Sequence, residues 1–152
     1  MMLHGLVGAW EGNGNGEFPT IDPFSYREIL VVSELDGVLH YRQSTWVRDG
    51  TDEVASHQET GFISVGEDGK VAMYNAQGID RVAVLSGSVH TDGDTVILEL
   101  ESVILAGDDR MLHSWRNFEL EGDGLRYTMG MATTQVPDGA LHLTARLARA
   151  QT

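Results

Sequence analysis

The amino-acid sequence predicts an all-β protein, a closed antiparallel meander barrel of about ten strands. Three observations carry that expectation. Turn signals recur at short, fairly even intervals, as Asp36-Gly37, Asp49-Gly50, Asp68-Gly69, Asp92-Gly93 and Gly122-Asp123-Gly124, and Asp-Gly between apolar runs marks a hairpin. The intervening segments are rich in β-branched and aromatic residues that alternate with a period of two. No segment has the spacing of a long amphipathic helix.

The strands are expected near 7–13, 24–34, 38–47, 57–65, 70–76, 81–89, 94–104, 110–120, 124–134 and 140–148. The first carries "GAWEGNGNGEFPTIDPF", where Gly12, Gly14 and Gly16 alternate on one face and Pro19 and Pro23 follow. Glycine inside a strand marks a bend, a bulge or the close approach of another backbone or a ligand. The run therefore reads as a barrel corner with a smooth inner groove. The second to fifth strands are divided by Asp36-Gly37, Asp49-Gly50 and Asp68-Gly69, the sixth and seventh by Asp92-Gly93. In "TVILELE" Val96, Leu98 and Leu100 share one face and Glu99 and Glu101 the other. In "LRYTMGM", after the Gly122-Asp123-Gly124 turn, Leu125, Tyr127, Met129 and Met131 share a face. About ten strands without covering helices must close or form a sandwich, because an open sheet leaves an edge and a bare apolar face. Beyond eight strands a barrel has more interior than its own side chains fill, which favours a ligand cavity.

The 152 residues suit one domain, 1–152, and the 41% hydrophobic, 22% charged composition is that of a globular chain. No apolar run approaches the roughly 20 residues that cross a membrane as a helix, and "MMLHGLVGAW" lacks the pattern of a secretory signal. A cytoplasmic protein without a membrane partner is expected. With no cysteine, thiolate zinc sites and iron–sulfur clusters are excluded. Net charge is -13, and the ten basic residues are scattered singly, so nucleic acid is not an expected partner.

Catalytic signatures on other folds are missing. "GNGNGEF" is followed by neither Lys-Ser/Thr nor a helix pattern, so it is no phosphate loop. There is no G-x-S-x-G elbow, and Glu99 and Glu101 read as a solvated strand face. Six histidines remain: His4, His40, His57, His90, His113 and His142. None shares a metal-binding spacing with another on one strand. A single imidazole suffices as the axial ligand of a haem iron, with a cavity burying the porphyrin. His142 stands at the start of the last strand, where the barrel mouth belongs. Strict alternation, however, groups it with Thr144 and Arg146, away from the apolar face, unless a bulge or the strand end re-aims it.

The whole chain resembles the nitrobindin family, haem-binding barrels similar in shape to the fatty-acid-binding proteins and lipocalins. The resemblance rests on Gly8, Trp10, Gly12 and Gly14 as G-x-W-x-G-x-G, on "GEFPTIDPFSYREI", "HQETGFI" and "RNFELEGDGLRYTMGMATT", and on His142, Leu143, Ala145 and Leu147. It implies one ferric haem b per chain, with His142 as the proximal ligand of the iron and Thr20, His57 and Met131 lining the haem pocket. It further implies binding of nitric oxide and isomerisation of peroxynitrite to nitrate, with the chemistry at the haem iron and no protein acid or base required.

The chain departs from the family pattern at two places in "NAQGIDRVAV": Asp80 stands where glycine is usual and Ala83 where glutamate is usual. The connection "QVPDGA" before His142 is slightly long. For an acidic chain to receive an anion, arginines such as Arg81, Arg116 or Arg146 must gather at the mouth. The alternative to a haem isomerase is a non-enzymatic carrier of a fatty acid or other small apolar ligand. Haem storage or sensing is a third reading.

Overall fold

Ten antiparallel strands run as β1 (Gly8–Phe18), β2 (Ile21–Leu35), β3 (Val38–Asp49), β4 (Asp52–Val65), β5 (Lys70–Gln77), β6 (Arg81–Asp92), β7 (Thr95–Ala106), β8 (Met111–Glu121), β9 (Gly124–Thr133) and β10 (Ala140–Arg149). The structure, a computed structural model, describes residues 2–150. Each strand pairs with its neighbours in sequence, and β1 also pairs with β10, which closes the barrel. The expected architecture and strand number are those observed. A single 3-10 turn, Met2–Leu6, which the turn and alternation signals did not reveal, lies ahead of β1. Among the described residues no helix is long and apolar enough to cross a membrane.

The first strand is longer than the glycine run suggested, and the reason is physical. Gly14 and Gly16 pair with Tyr26 and Phe24 of β2, whose rings lie across them. A Cβ on Gly14 would sit 2.3 Å from the Tyr26 ring, and one on Gly16 would sit 2.1 Å from the Phe24 ring. The inner face is thus no open groove; aromatic rings of the partner strand fill it and keep the glycines in the ladder. Gly12 serves a different purpose. A Cβ there would lie 2.1 Å from the Arg146 carbonyl oxygen of β10, so β1 and β10 approach closely at that point. On the outer face Asn13 accepts a hydrogen bond from Arg48, and Asn15 accepts one from Ser25 at 3.1 Å.

One end of the barrel is sealed. Leu3 and Leu6 of the 3-10 turn join Trp10, Leu39, Leu85, Leu98 and Leu125 in the core. Trp10 is 0% exposed, and its indole N–H donates to the Leu6 carbonyl at 2.8 Å. Arg149 lies 4.4 Å over the Trp10 ring and donates to the carbonyls of Gly5 and Val7 at 2.7 Å each. The turn Met2–Leu6 is tied down as a plug. In β7, Leu98 and Leu100 are buried while Glu99 and Glu101 face out, as alternation requires.

The other end is irregular. Here β4, β7, β8 and β10 each insert one unpaired residue, respectively Ser56, Val103, Leu112 and His142, and the β1–β2 ladder shifts register beyond Gly16. Bulges bend and flare a strand at a barrel rim. Beside them the barrel opens.

Candidate functional site

A cavity of about 180 Å³ occupies the open end, walled by Phe24, Tyr26, His57, Met129, Met131 and His142. His142 reaches it because of the β10 bulge. Leu141 pairs with Gly130 and Leu143 with Met129, so His142 is the inserted residue. The insertion turns Leu141 outward, 40% exposed, and brings both His142 and Leu143 onto the cavity wall. Unbroken alternation would have placed His142 outside; the bulge is the re-aiming device.

The imidazole is held in one orientation. His142 Nδ1 donates to the Glu17 carbonyl at 3.0 Å; a carbonyl only accepts, so the hydrogen is on Nδ1 and Nε2 keeps a lone pair. Phe18 and Phe24 stand edge-on to the ring, with centroids 5.7 and 6.3 Å away. Burial lowers the His142 pKa, only partly offset by the bond to Glu17, and Arg81 and His57 add to the lowering. A neutral, oriented imidazole with a bare nitrogen is the form that ligates a metal. The residues present therefore fit a haem, with the apolar walls around it.

The other expected site residues separate into two groups. Met131 and His57 line the cavity, Met131 opposite Ala140 in the β9–β10 ladder. Thr20 is exposed in the two-residue turn between β1 and β2 and is not among the cavity-lining residues. The three arginines do not gather at the mouth. Arg81 is on the cavity wall but donates to Asp108 at 2.8 Å, which also binds Arg110. Arg116 is buried at the bottom of the cavity wall. Arg146 faces outward, as expected for a neighbour of Ala145 and Leu147, which are buried. Asp80 adopts a left-handed φ of 80°, a conformation suited to glycine, and Ala83 is buried on the cavity wall. The connection before β10 is closed by hydrogen bonds between Thr133 and Val136.

Below the cavity lies a polar floor that the motif reading did not anticipate. Arg116 crosses from β8 to Glu59 on β4, its two terminal nitrogens donating to Oε2 at 2.5 Å and Oε1 at 2.9 Å. Tyr41 donates to the same carboxylate at 2.5 Å, and His57 Nε2 lies 3.2 Å from Oε1. Burial opposes ionisation of Glu59, but Arg116, His57 and Tyr41 together hold its pKa well below the usual carboxylate range. Beside it Glu28 is equally buried and accepts from Tyr127, to which Tyr26 is bonded at 2.8 Å. Among the described residues no arginine or lysine pairs with Glu28. Burial therefore dominates and raises its pKa to about 7, against the hydrogen bonds from Tyr127 and Gln43 that lower it. The available signal was parity: Glu28 shares a face with Tyr26 and Leu30, and Glu59 with His57 and Ile63, so each carboxylate points inward.

Residues 1–149 match the family described as THAP4-like, heme-binding beta-barrel domain. A Mycobacterium leprae protein named peroxynitrite isomerase is 33% identical over 150 residues, covering 96% of this chain and 91% of that protein. One from Arabidopsis thaliana, also named a peroxynitrite isomerase, is 32% identical over 133 residues, covering 87% of this chain and 78% of its own length. The crystal structure of Rv2717c from Mycobacterium tuberculosis superposes with a TM-score of 0.90 at 30% identity, covering 98% of this chain and 95% of that one. A phycobiliprotein lyase from Guillardia theta, 12% identical with a TM-score of 0.63, shares the fold. With its bulged His142 at the cavity and a match from end to end, the chain belongs to the nitrobindin family of THAP4-like, haem-binding β-barrels.

Proposed function

We propose that this protein holds one ferric haem b through His142 Nε2, binds nitric oxide and isomerises peroxynitrite to nitrate. The single observation that carries the reading is the bond from His142 Nδ1 to the Glu17 carbonyl, which aims a bare nitrogen at an apolar cavity. The names of the relatives support the reaction class. A ferric haem held through His142 would supply an iron that takes small oxyanion ligands. The chain's own residues fix the rest. Glu17 sets the tautomer, Phe18 and Phe24 restrict ring rotation, and Met129, Met131 and Leu143 exclude water from the wall. A fatty-acid carrier would need a cation for the carboxylate, and the two arginines on the cavity wall are already paired with Asp108 and Glu59.

Stopped-flow decay of peroxynitrite with nitrate quantified at the end tests the reaction. The hemin-loaded protein is expected to accelerate decay and raise the nitrate yield, and His142→Ala to lose both. Decay indistinguishable from buffer would remove the isomerase.

A further inference from the structure

The cavity wall holds a second imidazole whose chemistry differs from that of His142. His57 shares the inward face of β4 with Glu59, and its side chain is 35% exposed where it borders the cavity. Glu59 is ionised and can only accept, so the 3.2 Å contact places a hydrogen on His57 Nε2. In the neutral ring Nδ1 is then a lone pair, and it has no protein hydrogen-bond partner among the described residues. If Nδ1 takes a proton, both N–H groups are satisfied, one by Glu59 and one by the cavity's ligand. His142 has no carboxylate behind it; its donor is spent on a carbonyl.

We propose that His57 is the proton acceptor of the cavity, which takes up the neutral acid of its oxyanion ligand and generates the anion inside. The inference rests on the reading of the cavity as a peroxynitrite site. Net charge is -13, which opposes the entry of an anion but not of its neutral conjugate acid. In the step, the O–H bond of peroxynitrous acid breaks, its electron pair stays on the oxygen, and a new N–H bond forms at His57 Nδ1. The imidazolium rests against Glu59, whose ionised state Arg116 and Tyr41 secure. Nitrate is too weak a base to reclaim the proton, which leaves through the exposed edge of the ring. The other ionisable groups on this wall cannot serve: Arg81 and Arg116 are already charged, burial keeps the proton on the Tyr26 phenol, and the bare nitrogen of His142 is taken by the haem in the proposed function.

The test counts protons. Nitrite is added to hemin-loaded protein in weakly buffered solution with a pH indicator, and proton uptake is expressed per haem. Wild type is expected to take up about one proton per nitrite bound, and His57→Phe none. Ring-¹⁵N spectra of the apoprotein are expected to show His57 as the Nε2–H tautomer. Equal uptake in both proteins, no uptake in wild type, or an Nδ1–H tautomer overturns the proposal while leaving the haem site intact. Failure to retain hemin overturns the proposed function and this inference with it.

Discussion

At the sealed end of the barrel the ladders run without an inserted residue, and Trp10, Leu3 and Leu39 are closed off from solvent. At the open end four strands each carry one inserted residue, and the side chains beside them line a cavity. The same strands serve both ends. Regular pairing keeps alternation strict, which buries the most apolar area and supplies stability. A bulge gives up a ladder position and gains a direction, since it turns a side chain that alternation would have sent outward. His142 is that gain. The two ends divide the work between holding the fold and shaping the cavity.

If that division holds, truncating the sealed end should cost the most. Trp10→Ala removes a fully buried ring, its hydrogen bond and its contact with Arg149, and should lower unfolding free energy by about 3–5 kcal/mol in urea denaturation. Almost as costly is Arg116→Met between the ends. It strands the Glu59 carboxylate without its cation, at about 3–5 kcal/mol near neutral pH. Because Arg116 is the largest of the causes that hold the Glu59 pKa low, Glu59 protonates more readily without it, and the deficit relative to wild type should shrink as pH falls. A deficit unchanged by pH would show that the pair is not what stabilises the floor.

Glu28 supplies the opposite slope. Its pKa is raised from 4.5 to about 7, so the folded state binds more protons than the unfolded state between those values, and its contribution falls as pH rises through that window. The loss is on the order of 3 kcal/mol. Glu28→Gln should flatten it, as read from unfolding midpoints at pH 4.5 and 7.5. The smallest effect on stability, about 1 kcal/mol or less, is expected for deleting Leu141 at the open end. That deletion removes the inserted position, restores alternation and turns His142 outward. Circular dichroism should show an intact barrel, and hemin should no longer be retained.

The two ends also differ in how far the sequence discloses them. Asp-Gly turns and two-residue alternation, as in Val96 to Glu101, report backbone pairing directly, so the strand order and the closed barrel were legible. Leu3 and Leu6 were not, because a five-residue 3-10 turn is too short to show a helical period. At the open end the resemblance points to His142, His57 and Met131, which line the cavity, and to Thr20, which does not. Only the geometry explains how His142 faces inward, since a bulge depends on the register of the neighbouring strand and leaves no mark in one strand's own pattern. The floor was missed for another reason: pairing Glu59 with Arg116 joins β4 to β8 across the barrel, which no local spacing encodes. The glycine run by itself implies a smooth inner groove, because the rings that fill it, Phe24 and Tyr26, belong to the next strand.

The central claim is that the β10 bulge aims a neutral His142 at the cavity to hold haem iron. The visible spectrum of the hemin-titrated protein tests it most directly, for wild type, for His142→Ala, and for His142→Ala with free imidazole. A histidine-ligated Soret band in wild type, absent from the variant and restored by imidazole, is the predicted result. An unchanged band in His142→Ala, or none in wild type, would contradict it.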